Sequence, residues 1–222
     1  MVLKKLLMIV FSSASFVLYQ GCAPGLITIN PNQPASFSEE QQGPVVVIQS
    51  VTDTRIFEER PSRPSIPSLG PEAAMKPQEE IKKIAVGRVR NGHGKALGNI
   101  ILQENSTVEG VMRENLSSAL AESGFTVVEN TDFIPEDAIV IDVVIEQLWA
   151  WATPGWKITV ECQILTEIKS SKTNDPIVVD LTVSNRHNSV HKNARPWKAI
   201  VDKALEEYRS VVSTKVAQQL KQ

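Results

Sequence analysis

Five basic side chains lie where they could form an anion-binding corner. Arg55 follows one β-branched run, and Arg88, Arg90, His93 and Lys95 lie in and just after a second run. If the two runs are strands that end together, these groups offer the charge-assisted hydrogen bonds that bind carboxylates and phosphates. The pattern predicts a surface for an anionic glycan or a lipid headgroup. The plainer interpretation is solvated strand ends with local ion pairs.

Three tryptophans fall within eight residues, at Trp149, Trp151 and Trp156. Their spacing continues an alternating apolar run, which favours burial in the core. An indole also has a large rigid surface and one hydrogen-bond donor, which suits stacking on a sugar ring or a partner's side chain. Core and binding platform both remain open at this point.

Other patterns that resemble catalytic or ligand sites are weaker. Gly92, Gly94 and Gly98 imitate a phosphate-binding loop, but strand-like residues follow them rather than a helix. His187 and His191 have metal-ligand spacing with no obvious third ligand. No nucleophile, acid or base stands out, so we expect no metal, no cofactor and no enzyme. The alternative is an unrecognised envelope hydrolase.

One cysteine stands in a context typical of export. Cys22 follows Gly21, at the end of an apolar run over residues 6–18 that is preceded by Lys4 and Lys5. The run is too short to span a bilayer comfortably. The stretch resembles the lipobox of bacterial lipoproteins, although that motif usually has a Leu at the position of Tyr19.

The lipobox resemblance implies a lipid anchor. The Cys22 thiol would carry diacylglycerol, the signal over residues 1–21 would be removed, and the new amino terminus would be acylated. Ala23, rather than Asp, implies sorting to the outer membrane, facing the periplasm. A signal peptide without lipidation is the alternative. With Cys22 modified, Cys162 has no disulfide partner, and its apolar run predicts a buried thiol.

Composition and charge limit the partner classes and the domain organisation of the chain. The 222 residues carry a formal net charge of −2, and residues 22–222 hold 21 basic and 25 acidic side chains. This balance argues against a nucleic-acid partner and leaves the membrane and an envelope protein or glycan. Proline-rich and polar stretches predict a flexible tether over residues 22–43 and a mobile loop over about 58–80. A single domain is expected over residues 44–222.

Hydrophobic periodicity predicts an α+β fold with two layers, an antiparallel sheet covered on one face by two amphipathic helices. A hairpin is predicted around Thr153-Pro154-Gly155, with Ile145 opposite Ile164 and Trp149 opposite Val160. The helices are expected after the capping residues Ser106 to Glu109 and from Pro196 onwards. Strands are expected over 44–51, 81–89, 125–128 and 177–183.

Short motifs link these elements to a known family. The "VxDxR" pattern of Val51 to Arg55, the stretch Ile84 to Gly87, and the sequence Ser123-Gly124-Phe125 after a capped helix resemble YajG-type bacterial lipoproteins. The resemblance covers about residues 44–215. It implies an envelope location and a fold, and little chemistry. The expected function is a membrane-anchored binding or assembly module.

Overall fold

The structure is a computed structural model that describes residues 25–34, 43–70, 77–91, 93–129, 134–190 and 193–221. Cys22 lies outside this described part of the chain. The strands are β1 Gly25–Ile29, β2 Val45–Asp53, β3 Ala85–Arg90, β4 Ala96–Leu102, β5 Thr126–Glu129, β6 Ile139–Thr153, β7 Ile158–Ser170 and β8 Ile177–His187. The helices are α1 Gln78–Ile84, α2 Val108–Glu122, α3 Ala194–Val211 and, after a π-helical turn over Val212–Val216, α4 Ala217–Leu220.

The eight strands form one mixed sheet around β6. Its order is β1-β4-β3-β6-β2-β5, while β7 pairs with β6 and β8. Because β7 occupies one edge of β6 along most of its length, β2 and β3 share the other edge, one after the other. The prediction of an α+β fold is confirmed. The prediction of a purely antiparallel sheet is wrong, since β2 and β3 run parallel to β6 and β1 runs parallel to β4.

A β-bulge divides β6 into two halves, and the alternation of side chains between the two faces of the sheet is reversed in the second half. Ile145 pairs with Thr166 and Gln147 with Leu165, so the register shifts at Glu146. One extra residue moves every later side chain to the other face of the sheet. The predicted register is wrong on both sides of the bulge. Before it, Ile145 lies opposite Thr166 rather than Ile164. After it, Trp149 lies opposite Gln163 rather than Val160 and points away from Cys162 and its neighbours.

The larger core lies between the sheet and helices α2 and α3. Val46, Ile141 and Leu148 from the strands pack with Leu116 from α2 and Leu205 from α3. The predicted helix starts are close to those found, although Thr107, rather than Ser106, caps α2 by accepting from the Gly110 N–H at 3.0 Å. Gly124 ends this helix with a φ of +85°, as its sequence position indicates.

A second, smaller core lies on the opposite face. Trp149 and Trp151 pack there with Ile81 and Ala85, under Phe57 and Leu69. The cover consists of helix α1 and residues 56–70, so this part of the proline-rich insert is packed rather than outside the core. Two further predictions are corrected: residues 78–84 form a helix before the strand, and residues 25–29 form β1 rather than a tether.

Among the described residues, no helix is long and apolar enough to cross a membrane.

Candidate functional site

Arg55 is buried at the fork where β2 and β3 meet the same edge of β6. Its guanidinium donates to both carboxylate oxygens of Asp53 at 2.8 Å and to three carbonyl oxygens at 2.7–2.9 Å, those of Lys82, Ala85 and Leu148. All five N–H groups thus have an acceptor, and the side chain is 0% exposed. Arg55 joins β2, α1, β3 and β6, so it cannot serve as the surface ligand that its charge suggested.

Arg88 and Arg90 project from the second face of β3. Both donate to the hydroxyl of Ser68 at 3.0 Å, and Ser68 is itself fully buried. Burial lowers the pKa of Arg90 from its ordinary value. Arg88 is only 8% exposed. These two guanidinium groups therefore hold the insert against the sheet, Arg88 as a buried group and Arg90 as a half-exposed one.

His93 and Lys95 lie in the turn between β3 and β4, and both are exposed. The Asn91 side-chain oxygen accepts from their two backbone N–H groups at 3.0 and 2.9 Å, which fixes the turn. The expected basic corner is therefore split. Arg55, Arg88 and Arg90 bind the protein's own oxygens, while the turn faces solvent.

The three clustered tryptophans also separate. Trp149 is fully buried, donates from its indole nitrogen to the Pro64 carbonyl at 3.2 Å, and meets the Phe57 ring edge-on with centroids 5.7 Å apart. Trp151 is 8% exposed in the same cluster. Trp156, at the tip of the β6–β7 hairpin, is fully exposed. The platform of three rings does not exist, because the bulge and the insert bury two of them.

A groove that the sequence did not reveal lies on the second face beside the bulge. It has a volume of about 670 Å³ between residues 54–67 and the middle of β6 and β7. Ile56 lies at its wall with 76% of its surface exposed, and Glu146 stands exposed at the bulge. Bulges re-aim side chains and are frequent beside binding sites.

The groove has a polar rim and a fixed floor. Gln147 donates to the Ser65 carbonyl at 2.8 Å, and Gln163 donates to Asp180 at 2.9 Å, so both amides are held in place. Glu58 and Arg63 add one charge of each sign to the lining. The arrangement offers both apolar contact and hydrogen bonding to an occupant.

No described side chain shows the arrangement of a nucleophilic or metal site. Burial raises the pKa of the Cys162 thiol to about 12, against a smaller opposing effect of a hydrogen bond to the Trp149 backbone, so the thiol stays protonated and unreactive near neutral pH. Among the residues that the structure describes, no three His, Cys, Asp or Glu side chains group as metal ligands. His191 lies outside that set.

Sequence comparison finds no matching family model and no matching curated protein. Among solved structures, a Xanthomonas campestris protein of family model DUF330 is 7% identical, covers 89% of this chain and 97% of its own, and gives a TM-score of 0.49. A minor lipoprotein from Acinetobacter baumannii is 13% identical over 47% of this chain and 84% of its own, with a TM-score of 0.35. Neither likeness assigns the chain to a family.

Proposed function

We propose that this chain is an outer-membrane lipoprotein that faces the periplasm and acts as a non-enzymatic binding module. The lipobox-like stretch that ends at Gly21-Cys22 supports the anchor. The observation that carries the binding role is the groove beside the β6 bulge, with Ile56 exposed at its wall. Ile56 does not stand alone there, because Ile66, Pro67 and Leu165 also line the groove. Contiguous apolar surface with a polar rim is typical of interaction sites.

Ile56 is presented rigidly. The residue before it, Arg55, is held by five hydrogen bonds, and the residue after it, Phe57, packs on Trp149. A fixed backbone loses little conformational freedom on binding, so burial of the Ile56 side chain contributes to affinity. This arrangement favours a preformed recognition site over an accidental exposure.

The groove suits an extended segment of a partner protein. Ile56 and Leu165 offer apolar contact, whereas Glu58, Arg63 and Glu146 offer charged hydrogen bonds around it. Extended peptides bind in this way, with alternate side chains in apolar contact and polar groups satisfied at the rim. A protein of the cell envelope is the partner class that we propose.

Site-specific photo-crosslinking in cells tests the binding role. A photoreactive residue in place of Ile56 should give one discrete adduct, and Leu165→Asp should remove that adduct. The same residue in place of Val178, which is 46% exposed on β8 and does not line the groove, is the control. Equal adducts at both positions, or an adduct that survives Leu165→Asp, would contradict the groove.

The anchor is tested separately by intact mass. The purified membrane form should correspond to residues 22–222 plus three acyl chains, and Cys22→Ser should abolish partitioning into detergent. A protein that still begins at Met1 would refute lipidation.

A further inference from the structure

The topology brings the start of β1 to the same end of the sheet as the β6–β7 hairpin tip. Strand β1 runs parallel to β4, β4 runs antiparallel to β3, and β3 runs parallel to β6. Gly25 pairs with Gly98, and Gly98 pairs with Val89. Consequently the first residue of β1, the β3–β4 turn and the tip that carries Trp156 all lie at one end.

Five exposed or half-exposed basic side chains lie at this same end. It consists of the β3–β4 turn, the β6–β7 tip, the end of β8 and the start of α3, which we call the basic end. These segments contain five Lys or Arg, two His and no Asp or Glu, over residues 90–96, 153–159, 184–190 and 193–196. One carboxylate borders them, since Glu161 accepts from the Thr153 hydroxyl at 2.9 Å.

The rest of the chain is acidic. Outside the basic end, residues 22–222 hold 16 basic and 25 acidic side chains. The opposite end of the sheet, where β6 begins and β7 turns into β8, exposes Glu136, Asp137 and Asp175 together with Lys169 and Lys172. The basic end therefore carries an excess of positive charge, whereas the opposite end carries both signs, in a protein whose net charge is close to zero.

The lipid attachment site is tied to the basic end by chain length. Cys22 precedes Gly25 by three residues, which span at most about 11 Å when extended. An anchor on Cys22 would therefore hold the basic end, rather than any other part of the fold, against the bilayer.

We propose that the basic end lies on the anionic phospholipid headgroups of the membrane, with the Trp156 ring inserted among them. This inference rests on the proposed anchor at Cys22. Indoles partition to the headgroup level of bilayers, and Lys and Arg near an anionic surface are attracted to it. The groove includes Gln147, which precedes Trp156 by nine residues in the chain. In this orientation the groove lies away from the membrane, where a periplasmic partner can reach it.

Lipidated full-length protein in vesicles tests this orientation. The test compares Trp156 fluorescence on vesicles of phosphatidylcholine alone with that on vesicles that also contain phosphatidylglycerol. Both kinds of vesicle carry brominated acyl chains, which quench nearby indoles. The other described tryptophans are at most 8% exposed, so contact quenching reports Trp156. We expect strong quenching on the anionic vesicles, weaker quenching on neutral ones, and its loss in Trp156→Phe.

Charge variants test the electrostatic part. Each Lys that is neutralised should lower the docking equilibrium constant about fivefold, so Lys95→Gln with Lys157→Gln should lower it about 25-fold. Arg60→Gln with Lys172→Gln is the matched control, since both of these side chains are exposed and neither belongs to the basic end. The control should leave quenching unchanged.

The outcomes separate the anchor from its orientation. Protein that stays on vesicles while Trp156 is unquenched overturns the membrane-facing end and leaves the anchor intact. Equal quenching of Trp156 on neutral and anionic vesicles also overturns the proposed orientation. So does quenching that appears only when an envelope protein is added. Protein that fails to stay on either vesicle refutes the anchor itself.

Discussion

Replacing Arg55 with Ala should destabilise the domain more than any exposed basic substitution. The change leaves the Asp53 carboxylate, which is 11% exposed, without its partner. It also orphans the carbonyls of Lys82, Ala85 and Leu148. Removing one member of a buried ion pair costs about 3–5 kcal/mol, because the other charge stays buried and unpaired.

The expected fall in melting temperature follows from chain size. For a domain of this length, 1 kcal/mol corresponds to about 2–4 °C, so the loss should be about 6–20 °C. Urea unfolding followed by tryptophan fluorescence measures the same free energy independently. Arg55→Lys should recover only part of the stability, since an ammonium has three donors and cannot replace the five that are used. Arg60→Ala, an exposed Arg on the same segment, is the control.

Two results would refute the reasoning. If Arg55→Ala unfolds within about 1 kcal/mol of the parent protein, the hydrogen bonds at the fork do not hold the sheet together. If Arg60→Ala destabilises as much, the effect is one of net charge and not of these contacts.

Three further predictions concern the two cores and the edge strand. Burial raises the pKa of Cys162 from 9.0 to about 12 and that of Tyr208 from 10.0 to about 12. The folded state therefore keeps protons that the unfolded state releases. The free energy of unfolding should fall from pH 9 upwards, by about 1.4 kcal/mol per pH unit for each group that ionises in the unfolded state. Urea unfolding at a series of pH values measures this fall, and Cys162→Ala should make it smaller just above pH 9. Trp149→Ala should cost about 3–5 kcal/mol and speed proteolysis within residues 58–70, whereas unchanged cleavage would mean that the insert packs without the indole. Gly98→Ala should release β1, because a Cβ there would overlap the Gly25 carbonyl, and hydrogen exchange of the β1 amides should rise while that of β6 stays slow.

Local periodicity predicted the elements whose neighbours are close in sequence. The hairpin β6–β7, the strand β8 and the helices α2 and α3 all appear near their predicted positions. In each case a 2.0 or 3.6 residue repeat and a local turn or cap determine the element. The parallel pairs of β6 with β2 and β3 join strands far apart in the chain, and no local pattern specifies them.

The missed features depend on packing across the second face. The sequence predicts a strand over residues 81–89, but Ile81 lies within helix α1, which packs it in the same cluster as Trp149. The bulge had a visible sign: Gln147 interrupts the apolar odd positions, and Leu148 begins an apolar even series. Ile56 is exposed beside a groove because the insert packs on the second face of the sheet. That packing depends on distant contacts such as the hydrogen bond from Arg88 to Ser68.

If Cys22 carries the proposed anchor, the position of β1 allows two distances between the membrane and the sheet. With β1 docked, an anchor at Cys22 sits within about 11 Å of the sheet, whereas release of the chain up to Gly43 would give about 70 Å of extended reach. Docking buries Ile29, which is 2% exposed, and that burial is worth about 1.5–3 kcal/mol. Among the described strands, β1 is an edge strand that pairs with β4. Ile29 belongs to the larger core, and the Asn32 N–H donates to Asp202 of α3, so opening β1 would uncover one side of that core. A single local unfolding step would thus convert a close, oriented attachment into a long tether. The burial of Ile29 alone favours the short form about tenfold to a hundredfold.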